Sequence, residues 1–359
     1  MARKSIWILP LAVAAAIMWL SHQPGLPLGI SLSHPWDKLG HFTAFALLAA
    51  LLEFVLRRTR HDLPVYRRHL FVFAVVALFG AMDEWHQRFV PGRECDFFDW
   101  AADALGTAFG LVALSLSFLG SRKPEAFSWW RGTRERPDPA RPLILVADPH
   151  WGEELTGLRE ATLAHPEADW LFLGDVFDVW VGIRGMETEA QRAFLWWVQD
   201  RCAAGRWVGL WMGNREYFLD RLSPQFSLLG EGTGGALPLE GLTWEHGDLV
   251  NHRDRPYRLW NLVSRSGPLW LLARLLPARA ASALTLRLER AMRTTNRNYK
   301  LNFPREAFGD AARRGEGGVF LTGHFHSHEV EGPGIALPWA HEGVFMVWRQ
   351  GSVETLGNP

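Results

Sequence analysis

Apolar residues run in two rhythms along this chain. Up to about residue 120 they form long blocks, at 5–20, 39–56, 69–85 and 97–119, broken by short polar stretches. Each block is near the ~17–25 residues an α-helix needs to cross a bilayer. The pattern therefore predicts an α-helical membrane bundle of about four spans over residues 1–120. The third block is the least regular, because its uncharged stretch stops at Asp83–Glu84. The first follows Arg3–Lys4 and has the proportions of a signal peptide, but no small-residue cleavage site follows it and further apolar blocks do. From Leu143 onward the blocks shorten to strand length: LILVA, WLFLG, WVGLWM, LTWE and VFLT, separated by helical stretches such as 186–203. Runs of this length read as buried strands, and their alternation with helices predicts an α/β sandwich over 143–359.

Each of these five runs ends in residues that can bind a metal ion. They lead, in order, into Asp148-Pro149-His150, Asp175 with Asp178, Gly213-Asn214-Arg215-Glu216, His246-Gly247-Asp248, and Gly323-His324-Phe325-His326. Strand ends place side chains at one rim of a sheet, where loops converge on a ligand. The expected metal ligands are Asp148, His150, Asp175, Asn214, His246, His324 and His326. Carboxylate, amide and imidazole donors without thiolates suit Mn²⁺, Fe²⁺, Mg²⁺ or Zn²⁺. Two such ions about 3.5–4 Å apart can share a carboxylate and clamp a phosphoryl group. A lone histidine such as His22, His61 or His165 is more often a surface or core residue; the ordered series is what singles out the others. The two cysteines, Cys95 and Cys202, lie far apart and outside any CxxC pair, which argues against a disulfide framework or a zinc–thiolate site.

Net charge is zero, with 38 basic and 38 acidic residues, but the basic ones are unevenly placed in the first half. The loop after the second block carries Arg57, Arg58, Arg60, Arg67 and Arg68, and the stretch after the fourth carries Arg122, Lys123, Arg131, Arg134 and Arg136. The first loop offers Lys38, and the third offers Arg88 and Arg93. Positive-inside alternation then predicts both ends of a four-span bundle, and the α/β part, on the cytosolic side of the membrane. Residues 121–142, rich in Pro, Arg and Trp, read as a basic linker lying with Trp129–Trp130 against an anionic leaflet.

Two stretches of the bundle are unusually polar: Asp37 to Phe42, and Asp83-Glu84-Trp85-His86-Gln87 running on to Arg93, Asp99 and Asp103. With its DE-x-x-Q, Gly-Arg and D-x-x-x-D-x-x-G elements, this half resembles the VanZ-like membrane proteins over about residues 1–120. Asp103 stands where that family often has Asn. Ionisable residues inside spans are costly, so they line a polar cavity or lock helices together.

The later series, D-x-H, GD-x-x-D, GN, HGD and GH-x-H, resembles the calcineurin-like metallophosphoesterases over about residues 143–350. The resemblance implies one ion on Asp148, His150, Asp175 and His326, and another on Asp175, Asn214, His246 and His324, with Asp175 shared. It gives Asp178 and Asp248 supporting places beside the ligands. Where many relatives have GNH, this chain has Arg215; with FLGDVFDVW (172–180) and GNREYFL (213–219) it looks like the UDP-2,3-diacylglucosamine hydrolase group. That resemblance implies two divalent ions, Mn²⁺ by expectation, and hydrolysis of an acylated UDP-sugar to UMP and 2,3-diacylglucosamine 1-phosphate in lipid A synthesis. Asp175, Asn214, Arg215 and His324 would be catalytic, and Arg215, Asn298 and Lys300 would contact substrate. Arg215 is a fixed bidentate donor that suits a pyrophosphate and does not serve as an acid at neutral pH. Residues 253–300 hold eleven cations, against Asp254 and Glu289, interleaved with apolar runs. That composition predicts a helical insert over about 253–303 that lies on a lipid surface or covers an anionic lipid. Expected partners are therefore the acylated nucleotide-sugar and inner-membrane lipid, with neither nucleic acid nor a protein partner. Two other readings stand beside this one. One is a membrane-anchored metallophosphoesterase acting on another pyrophosphate lipid or nucleotide; the other is a membrane binding protein whose role resides in the VanZ-like half.

Overall fold

The computed structural model describes residues 6–23, 36–93, 95–118, 128–152, 155–295, 303–314, 318–340, 344–349 and 351–356. They fall into two compact units, Met1–Leu119 and Gly120–Pro359.

The first unit is helical: α1 (Ile8–Ser21), α2 (Trp36–Thr59), α3 (Val65–Gln87) and α4 (Phe97–Ser117). The last three are long and apolar enough to cross a membrane. α1 is an apolar helix of 14 residues. At 1.5 Å per residue it spans roughly 21 Å against a hydrocarbon core of about 30 Å. Three of the four expected spans thus have the required length among the described residues, and the first coincides with the shorter apolar helix α1. Close packing of α2 on α4 has a cause in the sequence. A Cβ added at Gly106 or Gly110 would lie 2.1 Å from the carbonyl oxygen of Phe42 or 2.2 Å from that of Ala46. Small residues four apart let two helix backbones approach in this way. Phe45, Leu48, Ala49, Val72, Val76 and Leu111 fill the interior, while Leu47, Leu78, Leu105 and Phe109 face outward. Glu53 is fully buried and pairs with Arg68 at 3.1 Å and Arg57 at 3.5 Å. Two of the arginines counted toward the basic loop are therefore held inside the bundle.

The second unit is a mixed α/β fold in four layers. Its larger sheet holds β1 (Trp129–Gly132), β2 (Leu143–Val146), β3 (Asp169–Phe172), β5 (Val208–Met212), β7 (Leu228–Glu231), β13 (Met346–Arg349) and β14 (Ser352–Thr355), in the order β1-β7-β5-β3-β2-β13-β14. β2, β3, β5 and β7 run parallel, so their C-terminal ends share one rim. The smaller sheet, ordered β11-β12-β10-β9-β8, comprises β8 (Gly235–Leu237), β9 (Leu242–Glu245), β10 (Val319–Thr322), β11 (Glu329–Glu331) and β12 (Gly334–Ala336). Here β9 and β10 are parallel. A short parallel pair, β4 (Trp180–Val181) with β6 (Glu216–Tyr217), lies apart from both. The five apolar runs singled out in the sequence are β2, β3, β5, β9 and β10.

Side-chain alternation along the strands builds the layers. Ile144, Val146, Trp170 and Phe172 join Leu158 of α5 (Thr156–Ala164) and Phe194 and Val198 of α6 (Glu189–Ala203) in one core. Leu143, Leu145 and Leu171 join Leu242, Trp244 and Leu321 of the smaller sheet in a second core. α6 starts at Thr188, whose hydroxyl accepts from the Gln191 N–H while the Gln191 side chain accepts from the Thr188 N–H, a capping box. Three helices follow β9: α7 (Arg255–Ser264), α8 (Gly267–Leu275) and α9 (Ala278–Thr295). α10 (Arg305–Arg314) then covers the outer face of the smaller sheet through Phe308, Ala311 and Ala312.

Residues 129–132, expected to be part of a linker, instead pair with β7 as an edge strand. Trp129 is buried in the helix-side core and its indole N–H donates to Glu231 at 2.8 Å; Trp130 packs on the other core beneath Arg134. Arg136 is held between Asp169 and Glu240. These aromatic residues serve the sheet rather than a leaflet because a 4-residue strand completes the edge beside β7.

Candidate metal centre

The turns after β2, β3, β5, β9 and β10 bring the seven expected ligands to one place. Parallel strands put C-terminal ends on one rim, where Asp148 and His150 follow β2, Asp175 follows β3 and Asn214 follows β5. His246 follows β9, and His324 and His326 follow β10. Asp175 sits centrally: its Oδ2 is 3.8 Å from His150 Nε2 and its Oδ1 is 3.5 Å from His246 Nε2. On one side, donor atoms of Asp148, His150 and His326 all lie within 4.8 Å of one another, as do those of Asp148, Asp175 and His246 on the other. Asn214 Oδ1 lies 3.1 Å from both His246 Nε2 and His324 Nδ1.

The backbone is bent to achieve this. Asp148, His150, Asp175, His324 and His326 have φ values of 50°, 44°, 50°, 67° and 55°, in the left-handed region that costs a non-glycine residue on the order of 1–2 kcal/mol. Among the described residues Phe218 is the one other non-glycine at positive φ. Such strain collects where function holds a side chain in place. The glycines preceding the ligands make room for them. A Cβ at Gly213 would lie 2.5 Å from Asp175 Oδ1, and one at Gly323 would lie 2.6 Å from Asp148 Oδ2.

Hydrogen bonds aim several donors. The His324 N–H donates to Asp148 Oδ2 at 2.5 Å. His246 Nδ1 donates to the Leu173 carbonyl at 2.7 Å, which turns Nε2 toward Asp175 and Asn214. His326 lies flat on Trp339, with ring centroids 5.0 Å apart. Asp178 Oδ1 is 3.6 Å from His150 Nδ1, while Asp248 accepts from the Tyr257 hydroxyl of α7.

The chemistry of this donor set fits divalent cations. Three oxygen donors and four imidazoles converge without a thiolate. His326 Nε2 is buried without a hydrogen-bond partner among the described residues, 3.6 Å from Asp148 Oδ1. Burial pulls the pKa of His246 down, yet Asp175, Asp148 and Asp248 outweigh it and hold it up at about 9. The carboxylates thus create a potential that draws positive charge.

Arg215 is buried at the same place. Its N–H donates to Asp175 Oδ1 at 2.9 Å, its Nε is 3.8 Å from Asp175 Oδ2, and its Nη1 touches Met292 Sδ of α9. The insert therefore reaches the centre. α8 meets the Arg279–Met292 part of α9 at 118°, and Leu259, Trp260, Val263, Leu272 and Leu275 are exposed. Asn298 and Lys300, the other expected substrate contacts, lie outside the described residues.

Two residues with structural roles at the centre carried no assignment in the sequence. Glu216 is buried, and its carboxylate accepts from the N–H groups of Asp175 (2.9 Å), Val176 (2.7 Å) and Gly213 (2.8 Å), tying two ligand turns together. Burial first, and the charge of Asp175 second, push its carboxyl up from the ordinary range. Arg265 belongs to the basic insert but turns inward. It donates to the carbonyls of Gly213 (2.5 Å) and Glu216 (3.0 Å) and pairs with Glu231. Its counterion lies outside the insert, as does Glu306 beside Arg253 at 3.4 Å. The motif GNRE contains Glu216, but its carboxylate binds backbone, and backbone partners leave no trace in residue spacing.

Among known families, the VanZ/LLP1 profile matches residues 2–118. The helical unit is a VanZ-like domain with three helices of membrane-spanning length and composition. No curated protein matches the chain.

Proposed function

We propose that the α/β unit is a two-metal phosphoesterase that hydrolyses the pyrophosphate of UDP-2,3-diacylglucosamine to UMP and 2,3-diacylglucosamine 1-phosphate. The observation that carries the reading is the convergence of seven oxygen and imidazole donors from five strand ends around Asp175. Asp148, His150, Asp175 and His326 would hold one ion, and Asp175, Asn214, His246 and His324 the other, with Mn²⁺ expected. When bound, two such ions supply charge neutralisation at phosphoryl oxygens and a more acidic water.

In the overall reaction, water adds to the nucleotide's α-phosphorus and the bond from that phosphorus to the bridging oxygen breaks. The sugar 1-phosphate leaves. Arg215 orients the pyrophosphate by its fixed fork of donors. Its place beside Asp175 and under Met292 supports a substrate lying between the donor cluster and the insert. Glu216 and Arg265 fix the turns of Asp175 and Asn214, so that the donors are arranged before substrate arrives.

The exposed apolar residues of α7 and α8 and the basic residues among them suit contact with acyl chains and an anionic leaflet. The VanZ-like domain would anchor the enzyme in the bacterial inner membrane, raising its concentration near a lipid substrate. Loop charge favours a cytosolic catalytic unit, where UDP-sugars are found. An acyl-dependence assay tests the substrate. The full chain in detergent micelles with Mn²⁺ should release UMP from the diacylated UDP-sugar much faster than from soluble UDP-N-acetylglucosamine. Equal rates would instead favour a membrane-anchored enzyme for another pyrophosphate.

A further inference from the structure

The helical unit contains a second gathering of imidazole and carboxylates. His41 on α2, Glu84 on α3 and Asp103 on α4 each offer one donor atom, and the three atoms lie within 4.8 Å of one another. They come from the same end of three helices: the start of α2, the end of α3 and the start of α4. Asp103 is fully buried, whereas the His41 side chain is 21% exposed, which leaves a path for a small ion to arrive.

Two independent observations separate this cluster from an ordinary helix lock. The first is a shortage of positive charge. Lys38 is already engaged with Asp96 and Asp99, and Arg93 donates to the carbonyls of Gln23 and Leu20. Glu84, Asp83 and Asp103 have no lysine or arginine in ion-pair range among the described residues. His41 beside Asp103 can offset at most one of these three carboxylates; the others are costly in a low-dielectric interior, and a cation removes that cost. The second is an unsatisfied atom. Asp103 Oδ1 is 3.0 Å from His41 Nδ1, but Asp103 Oδ2 is buried with no hydrogen-bond partner among the described residues. Asp83 Oδ1, one residue before Glu84, is in the same condition. Neighbouring contacts fix the scaffold. Glu84 Oε2 accepts from the Asp96 N–H at 3.0 Å and Asp83 Oδ2 accepts from Ser21 at 2.7 Å. Gly80, one turn before Glu84, leaves the space that Asp103 occupies, since a Cβ there would lie 3.0 Å from Asp103 Oδ2.

We propose that His41, Glu84 and Asp103 form a divalent-cation site within the VanZ-like domain, separate from the centre in the α/β unit. Two carboxylates and one imidazole suit Zn²⁺ or Mn²⁺, and three protein ligands leave coordination positions for water or a ligand.

Zn²⁺ binding to the full chain in detergent micelles, measured by equilibrium dialysis and elemental analysis, tests this. A D148N/D175N double variant removes donors from the other centre and should retain one Zn²⁺ per chain. Adding Glu84→Gln or His41→Gln to it should lower the affinity for that ion at least tenfold. No bound Zn²⁺ in the double variant, or binding indifferent to both Gln substitutions, overturns the proposal. Because those variants can lose their fold, the wild-type chain provides a second measurement. Zn²⁺ should slow carbodiimide modification of Glu84 and Asp103, mapped by mass spectrometry; unchanged rates at both positions overturn the proposal equally.

Discussion

In the α/β unit, imidazoles and carboxylates are gathered by turns forced into the left-handed region; in the helical unit, His41, Glu84 and Asp103 meet on regular helices. The strand-end arrangement needs five turns, and five of its seven donors have strained backbone. The helix-end arrangement needs none. Among its described residues, Gly92 is the one residue of that unit at positive φ, and it lies in a turn. The contrast reflects direction. Asp148 and His150 lie beyond the end of β2, so the turn backbone, and not strand alternation, aims their side chains. A helix already stacks residues four apart on one face, so Gly80 and Glu84 of α3 meet Asp103 of α4 without distortion.

The two regions should therefore respond differently to perturbation. The largest expected effect is in the α/β unit: Asp175→Asn should reduce UMP release on the order of 10²–10³-fold, because both halves of the donor cluster use that carboxylate. Chelation should abolish release and added Mn²⁺ restore it, as a continuous UMP assay would record. Retained activity after exhaustive chelation would break the metal reading.

In the bundle, the corresponding large effect concerns stability. Glu53→Ala leaves Arg68 and Arg57 buried beside an absent carboxylate, which should cost about 3–5 kcal/mol. Thermal unfolding of the full chain in micelles, followed by helical circular dichroism, would register it as an early loss of the helical signal. An unchanged transition would show that the pair contributes little.

An intermediate effect is expected at Glu216. Glu216→Gln keeps the shape but replaces a carboxylate oxygen that accepts backbone N–H groups from two ligand turns. Loss of such support beside a metal ligand typically costs about 10–100-fold in metal affinity or activity. Titration of activity with Mn²⁺ should show a rightward shift, and excess Mn²⁺ should recover most of the rate. A rate loss that no Mn²⁺ concentration recovers would contradict a positioning role.

These residues also mark how far the sequence was legible. The five apolar runs are legible as strands because each carries its own continuous signal, and the convergence of the seven donors is legible because they follow those strands directly. Glu216 and Arg265 are not legible in the sequence, since Glu216 holds the Asp175 N–H and Arg265 the Gly213 carbonyl, 41 and 52 residues away. The strand at Trp129 and Trp130 is illegible for a related reason. An edge strand of 4 residues, isolated among Pro and Arg, has no periodicity to announce it. α1 has the composition of a span, and its described helix covers 14 residues.

The smallest effect should come from the insert. Leu272→Glu with Leu275→Glu places charge on the exposed apolar face of α8 and leaves the donor cluster untouched. Activity on the diacylated substrate should fall a few-fold, while cleavage of a soluble phosphodiester stays constant. An equal fall on both substrates would mean that the insert shapes the centre rather than the lipid contact.

The central claim is that Asp175 is shared by two metal ions, and electron paramagnetic resonance of the Mn²⁺-loaded full chain tests it most directly. The account expects the spectrum of a spin-coupled Mn²⁺ pair, lost in Asp175→Asn. A spectrum of isolated Mn²⁺ ions alone, unchanged by that substitution, would contradict it.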